Sequence, residues 1–248
     1  MKNISLERIY PNNIHNDDAE SQAALTLHLD RYDFASAHLK GDVILDIACG
    51  CGYGTAIMAE AHPDKQFIGV DIDPEAIDYA SQYYQLPNLE YVCSSAEEYS
   101  PVRLCDTIVS LETIEHLVDP RGFIEIILNK LLVSGGSVIA SVPITPTKDG
   151  NPHHLHDFTG KSFLTIFKKN NCEKRESFEQ IQPWFVKKMH TGQNSLSNSV
   201  GKVKVRMVVK NVLFHYVKNP FSVFNRLIAI FRYGFCNKYL TVCFVKLK

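Results

Sequence analysis

The sequence predicts a doubly wound α/β domain: seven strands in a mostly parallel sheet, with helices on both faces. Three observations predict it. Short apolar runs alternate with longer segments of helical pattern along the 248 residues, and that alternation builds parallel sheets. The run Val43–Ile47 is β-branched and Leu-rich, as a strand covered on both faces must be. Gly50, Gly52 and Gly54 then follow at every second position, and a helical pattern begins immediately after them.

Each element follows in order. Residues 1 to about 17, with the Asn-rich IYPNNIHNDD, read as a loose arm, and Ala19–Leu39 as a helix leading into the sheet. After the first strand, TAIMAEAH reads as a helix that stops before Pro63. Phe67–Asp71 is the second strand. Asp73-Pro74-Glu75 supplies a cap, a first-turn proline and an acid at the positive dipole end, so a helix starts there. Leu89–Cys93 and Asp106–Ser110 are the third and fourth strands. A helix opens at Asp119-Pro120 and runs to Leu132, and the turn SGG leads into the fifth strand, Ser137–Val142. A helix near Ser162–Lys169 precedes a sixth strand near Glu176–Gln182, and TVCFVKL closes the sheet. The expected organisation is an arm and helix at 1–40, a core at 41–182, an insertion at 183–238 and a last strand within 239–248.

The glycine turn reads as a nucleotide-cofactor cradle. Glycine lets the backbone approach a ligand that a β-carbon would push away, and the helix start offers unpaired N–H groups. Asp71 lies 21 residues beyond Gly50, where an acid on a doubly wound sheet meets a ribose. The order Gly-x-Gly-x-Gly differs from the dinucleotide fingerprint, which disfavours a nicotinamide enzyme. It resembles motif I of the class I S-adenosylmethionine (SAM)-dependent methyltransferases. That resemblance implies a Rossmann-like methyltransferase fold with SAM as cofactor. Asp46 and the Gly50–Gly54 turn, Gly50 and Gly52 above all, would face its methionyl part, with Ala48 standing where the motif has its first glycine. Asp71 would hold the ribose. Ser95 and Ala96 would lie on the adenine side, where many relatives carry an acid; Ile72 and Leu111 complete the cofactor-binding set.

Strand four ends in SLETIEHLVDP, which resembles the matching segment of small-molecule methyltransferases, including the ubiquinone-biosynthesis O-methyltransferases. Residues three and four apart on a helical turn share a face, so Glu112, Glu115 and His116 are expected to meet over the sheet edge. A similar ExxEH with a distant histidine holds a divalent ion in small-RNA 2′-O-methyltransferases. NPHHLHDFT, Asn151–Thr159, resembles a segment of bacterial glycan-cluster methyltransferases, with His154 at their histidine; DRYDFASAHLKGDVILDIACGCGYG resembles the start of the same enzymes. The likeness covers about residues 28 to 170. It implies O-methylation of a hydroxyl on a sugar, glycolipid or other small metabolite. His154 and His116 are the candidate bases. Glu112, Glu115, His116 and His154 form a candidate site for Mg²⁺, Mn²⁺ or Zn²⁺. Two alternatives stay open: an RNA 2′-O-methyltransferase and a non-catalytic SAM-binding partner.

Charge is unevenly spread. Gln180–Lys248 holds twelve Lys and Arg and no Asp or Glu, leaving 14 basic and 27 acidic residues before it. Such asymmetry points to an anionic partner, such as a membrane surface, a lipid-linked or phosphorylated acceptor, or less readily a nucleic acid. The tail can equally pack on its own acidic body. The insertion 183–238 interleaves aromatic and apolar residues with Lys and Arg, and a lid, a membrane element and a homodimer arm all fit that pattern. Seven cysteines occur without a CxxC pair, two of them inside the glycine turn. Reduced thiols in a cytoplasmic protein are therefore expected, with peripheral attachment at the inner membrane face as an option for the insertion. No apolar run is long enough to span a bilayer.

Overall fold

The computed structural model describes residues 9–14, 19–149, 151, 153–183 and 216–248. One sheet contains β1 Val43–Ile47, β2 Gln66–Asp71, β3 Leu89–Cys93, β4 Cys105–Leu111, β5 Leu132–Pro143, β6 Cys172–Pro183 and β7 Cys236–Lys246. Its order is β3-β2-β1-β4-β5-β7-β6. β7 runs antiparallel to β5 and β6, while the other neighbours are parallel. Strand order reverses between β1 and β4, and a ligand crevice opens at such a switch point, beyond the carboxyl ends of the strands.

The helices are α1 Ala19–Ala37, α2 Tyr53–Ala61, α3 Pro74–Tyr83, α4 Pro120–Ile126, α5 Gly160–Lys169 and α6 Pro220–Tyr233. Side chains alternate across a strand, so β1 feeds two cores. Val43, Leu45 and Ile47 join a cluster with Phe123, Phe163, Phe167 and Phe244 under α4 and α5. Ile44 turns to the other face, among Tyr32, Tyr53 and Met58 of α1 and α2. Asp46 shares the Ile44 face by the same alternation. The caps read from sequence are present: Asp73 accepts from the Glu75 N–H, and Asp119 from those of Arg121 and Gly122. The capping box of Thr159 and Ser162 at α5 escaped the sequence reading.

Several boundaries differ from expectation. The helix after the glycines starts at Tyr53, because left-handed Gly52 (φ 80°) already serves as its cap. The helix opened by Asp119 ends at Ile126 and passes through a wider π-turn, Ile127–Leu131. The SGG segment belongs to β5, at an irregularity in the ladder with β4. β6 and β7 are longer than expected and pair from Cys172–Lys246 to Pro183–Cys236. The chain therefore leaves the sheet at Pro183 and returns at Cys236, ahead of residue 239. The arm is anchored where described: Ile9 is buried and its carbonyl accepts from the Cys51 thiol at 2.6 Å. The HTGQNSLSNS stretch and the first part of the basic insertion lie outside the described residues. Within α6, only Ala229 is buried.

Candidate active site

A cleft of about 600 Å³ opens at the switch point, a size that suits a drug-sized or cofactor-sized ligand. Of the sequence-picked cofactor residues, Ala48, Gly50, Asp71, Ile72, Ala96 and Leu111 line it. The turn after β1 is held from β2. Asp71 Oδ2 accepts from the Gly50 N–H and Oδ1 from the Asp73 N–H, both at 2.9 Å. Ala48 (φ 64°) and Gly50 (φ 59°) are both left-handed, which folds the turn back over the strand end.

The three glycines do different jobs. A β-carbon at Gly50 would meet nothing within 4 Å, so the space before it is open to a ligand. At Gly52 it would collide with Ala80 Cβ (2.6 Å) and the Tyr91 ring; at Gly54, with the Tyr32 ring (2.0 Å). Those two allow α2 to pack against α1, α3 and β3. Gly52 therefore stands behind the cleft wall, a correction to its expected ligand contact.

Asp46 also lies behind that wall. It is 1% exposed, and its carboxylate accepts from the hydroxyls of Thr55 (2.6 Å) and Tyr32 (3.3 Å). Burial raises its pKa to about 7; the two hydrogen bonds oppose that rise and the nearby Asp71 adds to it. Tyr32 itself lines the cleft, so Asp46 acts on the site through a hydroxyl. Ser95 is likewise absent from the lining. Its neighbours Ser94, Ala96 and Glu97 are present, and the Ser95 hydroxyl accepts from the Glu98 N–H at 3.2 Å.

Sequence reasoning missed a wall contributed by α1: His28, Arg31 and Tyr32. Arg31 is 3% exposed. Its guanidinium lies 4.5 Å from the centroid of the Tyr239 ring and 4.0 Å from Glu112. Its Nε has no hydrogen-bond partner among the described residues. A buried cation with a spare donor fits an anionic ligand group. His28 bonds the Tyr53 hydroxyl through Nδ1 at 2.8 Å. Burial, then Arg31, lowers its pKa to about 3, so its ring is neutral. The signal was available: an Arg and a His three residues apart on an otherwise ordinary helix share one face.

At the other end of the cleft, ExxEH takes a different shape from the single helical face expected. Only Ile114–His116 forms a turn, of 3₁₀ type, and Glu112 precedes it in the left-handed region at φ 50°. That backbone points Glu112 away from the histidines. Its Oε1 accepts from the Ser141 hydroxyl at 2.7 Å, and its other oxygen faces Arg31. Glu112 thus leaves the four-residue set, while Glu115, His116 and His154 converge, with one ligand atom from each within 4.8 Å of the others. Glu115 is fully buried.

The NPHHLHDFT loop is pinned to this turn. The Leu155 and His156 N–H groups donate to the Glu115 carbonyl at 2.8 and 3.2 Å, and His156 Nε2 donates to the Leu117 carbonyl at 2.9 Å. His156 is therefore a fastener. His116 Nδ1 donates to the His153 carbonyl at 3.2 Å, and the His116 and His154 rings meet edge to face at 4.6 Å. Thr147 Oγ1 sits 2.5 Å from His154 Nδ1 and fixes that ring. Burial, then His116 and His153, lowers the His154 pKa to about 4. At neutral pH the ring is unprotonated, the form that ligates a metal or accepts a hydrogen bond.

Comparison with known proteins agrees with this geometry. Residues 44–136 match a family model described as a methyltransferase domain. The chain is 30% identical over 92 residues to a malonyl-[acyl-carrier protein] O-methyltransferase of Acetivibrio thermocellus, a match over 37% of this chain and 32% of that protein. It is 30% identical over 111 residues to the mitochondrial ubiquinone biosynthesis O-methyltransferase of Schizosaccharomyces pombe, covering 43% and 40%. The chain spans about a third of the length of the first curated relatives it matches. Among solved structures, the N-methyltransferase NodS of Bradyrhizobium japonicum, in complex with S-adenosyl-L-homocysteine, superposes with a TM-score of 0.56 at 17% identity. That match covers 94% of this chain and 90% of NodS.

Proposed function

We propose that this chain, which carries a class I SAM-dependent methyltransferase domain on the corresponding Rossmann-like sheet, binds SAM and methylates a hydroxyl of a sugar, glycolipid or other small metabolite. One observation carries the reading. A single cleft is lined at one end by Gly50 and Asp71, and at the other by His116 and His153 beside the Glu115–His116–His154 cluster. The open face of Gly50 and the spare Arg31 Nε fit a bulky ligand with an anionic group.

SAM, when bound, supplies a methyl group made electrophilic by its sulfonium. The residues of the chain have three tasks around it. Asp71 accepts from the ribose hydroxyls, its orientation already set by the two backbone N–H groups. Arg31 and the Gly50 turn take the methionyl end, and Ala96 and Ile72 flank the adenosine. His116 and His154 orient the acceptor hydroxyl, and an imidazole there can accept its proton; with Glu115 the same two residues would hold a divalent ion, which would supply Lewis-acid activation of the hydroxyl. An imidazole with its pKa near 4 accepts a proton from an alcohol reluctantly, so His154 works better as an ion ligand or an orienting acceptor. The convergence of Glu115, His116 and His154 supports the metal-assisted version, with Mg²⁺, Mn²⁺ or Zn²⁺ as candidates.

The test is an acceptor screen that reads S-adenosylhomocysteine release, run with and without chelator. Turnover of hydroxylated small molecules that is lost in His154→Ala supports the reading. Turnover of RNA alone, with affinity falling steeply as salt rises, would replace it. SAM binding with no turnover on any acceptor would leave a binding protein.

A further inference from the structure

We infer that α6 is an interfacial helix that docks this chain on an anionic lipid bilayer, an interaction independent of the methyl-transfer reading. Phe221, Phe224, Leu227, Ile228 and Phe231 recur at helical spacing and lie on one side of α6. They are exposed, Phe221 to 82%, Phe224 to 65% and Phe231 to 97%. The opposite side is fastened to the body. Arg226 forms an ion pair with Asp149 and donates to the Pro146 carbonyl; ahead of the helix, the Tyr216 hydroxyl also donates to Asp149. Among the described residues nothing covers the apolar side, and it exceeds the scattered exposed hydrophobics normal for a surface. A helix clamped through Arg226 is held with the Phe221–Phe231 side facing outward.

Charge selects the occupant. No Asp or Glu occurs from Gln180 to Lys248, and six Lys and Arg stand between Lys187 and Lys210 alone. Among the described residues, Arg226 pairs with Asp149 and Lys238 with Glu179. Arg232 follows Phe231 within α6. An apolar stripe in an acid-free, cation-rich stretch of sequence matches the boundary between anionic headgroups and acyl chains. A second copy would set the same cationic stretch against itself, which like charges disfavour. No helix among the described residues is long and apolar enough to cross a membrane, so this contact lies along the surface. α6 hangs from the loop that continues to His153 at the cleft. Docking would therefore bring the mouth of the cleft to the bilayer.

The experiment is co-sedimentation of the full chain with phosphatidylcholine vesicles, with and without phosphatidylglycerol, at low and high salt. The protein should pellet with the anionic vesicles and leave them as salt rises. The double variant Phe224→Asp, Phe231→Asp should bind them at least tenfold less, about 1.4 kcal/mol, with its unfolding temperature and SAM affinity unchanged. Four results would each overturn the inference: no binding to anionic vesicles at low salt; equal binding by the double variant; a dimer in solution that the variant dissolves; or a variant that unfolds earlier, which would mean the stripe is covered by the protein itself.

Discussion

The Gly50 N–H donates to Asp71 Oδ2 at 2.9 Å, so the acid that ends β2 also holds the turn that ends β1. Asp71 is thereby both a ligand candidate and part of the cradle. Asp71→Ala should weaken SAM binding by about 1.5–3 kcal/mol, the scale of a hydrogen bond to a charged group, or roughly ten- to a hundredfold. Calorimetric titration measures this. Unchanged affinity would remove Asp71 from the cofactor site.

Gly50 and Gly52 should fail in different ways. Gly50→Ala places a methyl in open cleft space and adds left-handed strain of roughly 1–2 kcal/mol. It should fold and lose the thermal shift that SAM produces. Gly52→Ala drives a methyl into Ala80 and Tyr91 and adds overpacking of about 1–3 kcal/mol to the strain. Its unfolding temperature should drop without any ligand. Equal behaviour of the two in a thermal-shift assay would contradict the assignment.

Glu112 and Glu115 separate in the same manner. Only Glu115 belongs to the cluster with His116 and His154. Glu115→Gln and His154→Ala should each weaken Mn²⁺ binding by about tenfold or more, while Glu112→Gln leaves it within about twofold. Titration of the chelator-treated protein with Mn²⁺ decides it. No binding by the wild type would reduce the three residues to acid–base and positioning roles.

Arg31 should matter more to ligand than to fold. Arg31→Met keeps much of the stem packing and removes the cation facing the cleft. SAM affinity should fall about tenfold or more, with activity falling alongside it. A variant that binds SAM normally would restrict Arg31 to its contacts with Glu112 and Tyr239.

Asp46 gives stability a pH signature. Its folded pKa is raised to about 7, against about 3.9 for an unfolded chain. The folded state holds this proton between those values and the unfolded state does not. Stability from this group is therefore full below about pH 4 and is lost as pH rises towards 7, by at most about 1.4 kcal/mol per unit. Asp46→Asn should flatten that slope in denaturant titrations across pH 4–7. An identical slope in both proteins would refute it.

Much of the fold was legible because apolar runs, glycines and capping acids act locally. Val43–Ile47 as a buried strand, Asp73 and Asp119 as caps, and the Asp71 position all follow from neighbours in sequence. What misled was conformation that only packing decides. Glu112, Glu115 and His116 share a face on a regular helix, but Glu112 adopts φ 50° to reach Ser141, and no local pattern announces that. Motif order places Asp46 and Gly52 at the ligand, whereas Tyr32, Tyr91 and Ala80 arrive from distant elements to occupy the space around them. Arg31 lies within the DRYDFASAHLKGDVILDIACGCGYG segment, yet its role depends on Tyr239, more than two hundred residues away.

Beyond an irregularity at Lys174–Glu176, the β6–β7 ladder runs in register from Glu176–Cys243 to Pro183–Cys236, and β6 ends on the same sheet edge as the carboxyl ends of β1 and β4. The sheet is thus sealed before the chain departs and again when it returns. Closing a loop of twice the length costs only about 0.6 kcal/mol more, so the sheet tolerates changes in the length of the segment between Pro183 and Cys236. The segment is thus attached at one edge of an open sheet whose strands pair on both sides of the departure point. Chimeras that transplant it between related chains should keep cofactor affinity and fold, while the choice of acceptor or surface travels with the transplanted piece.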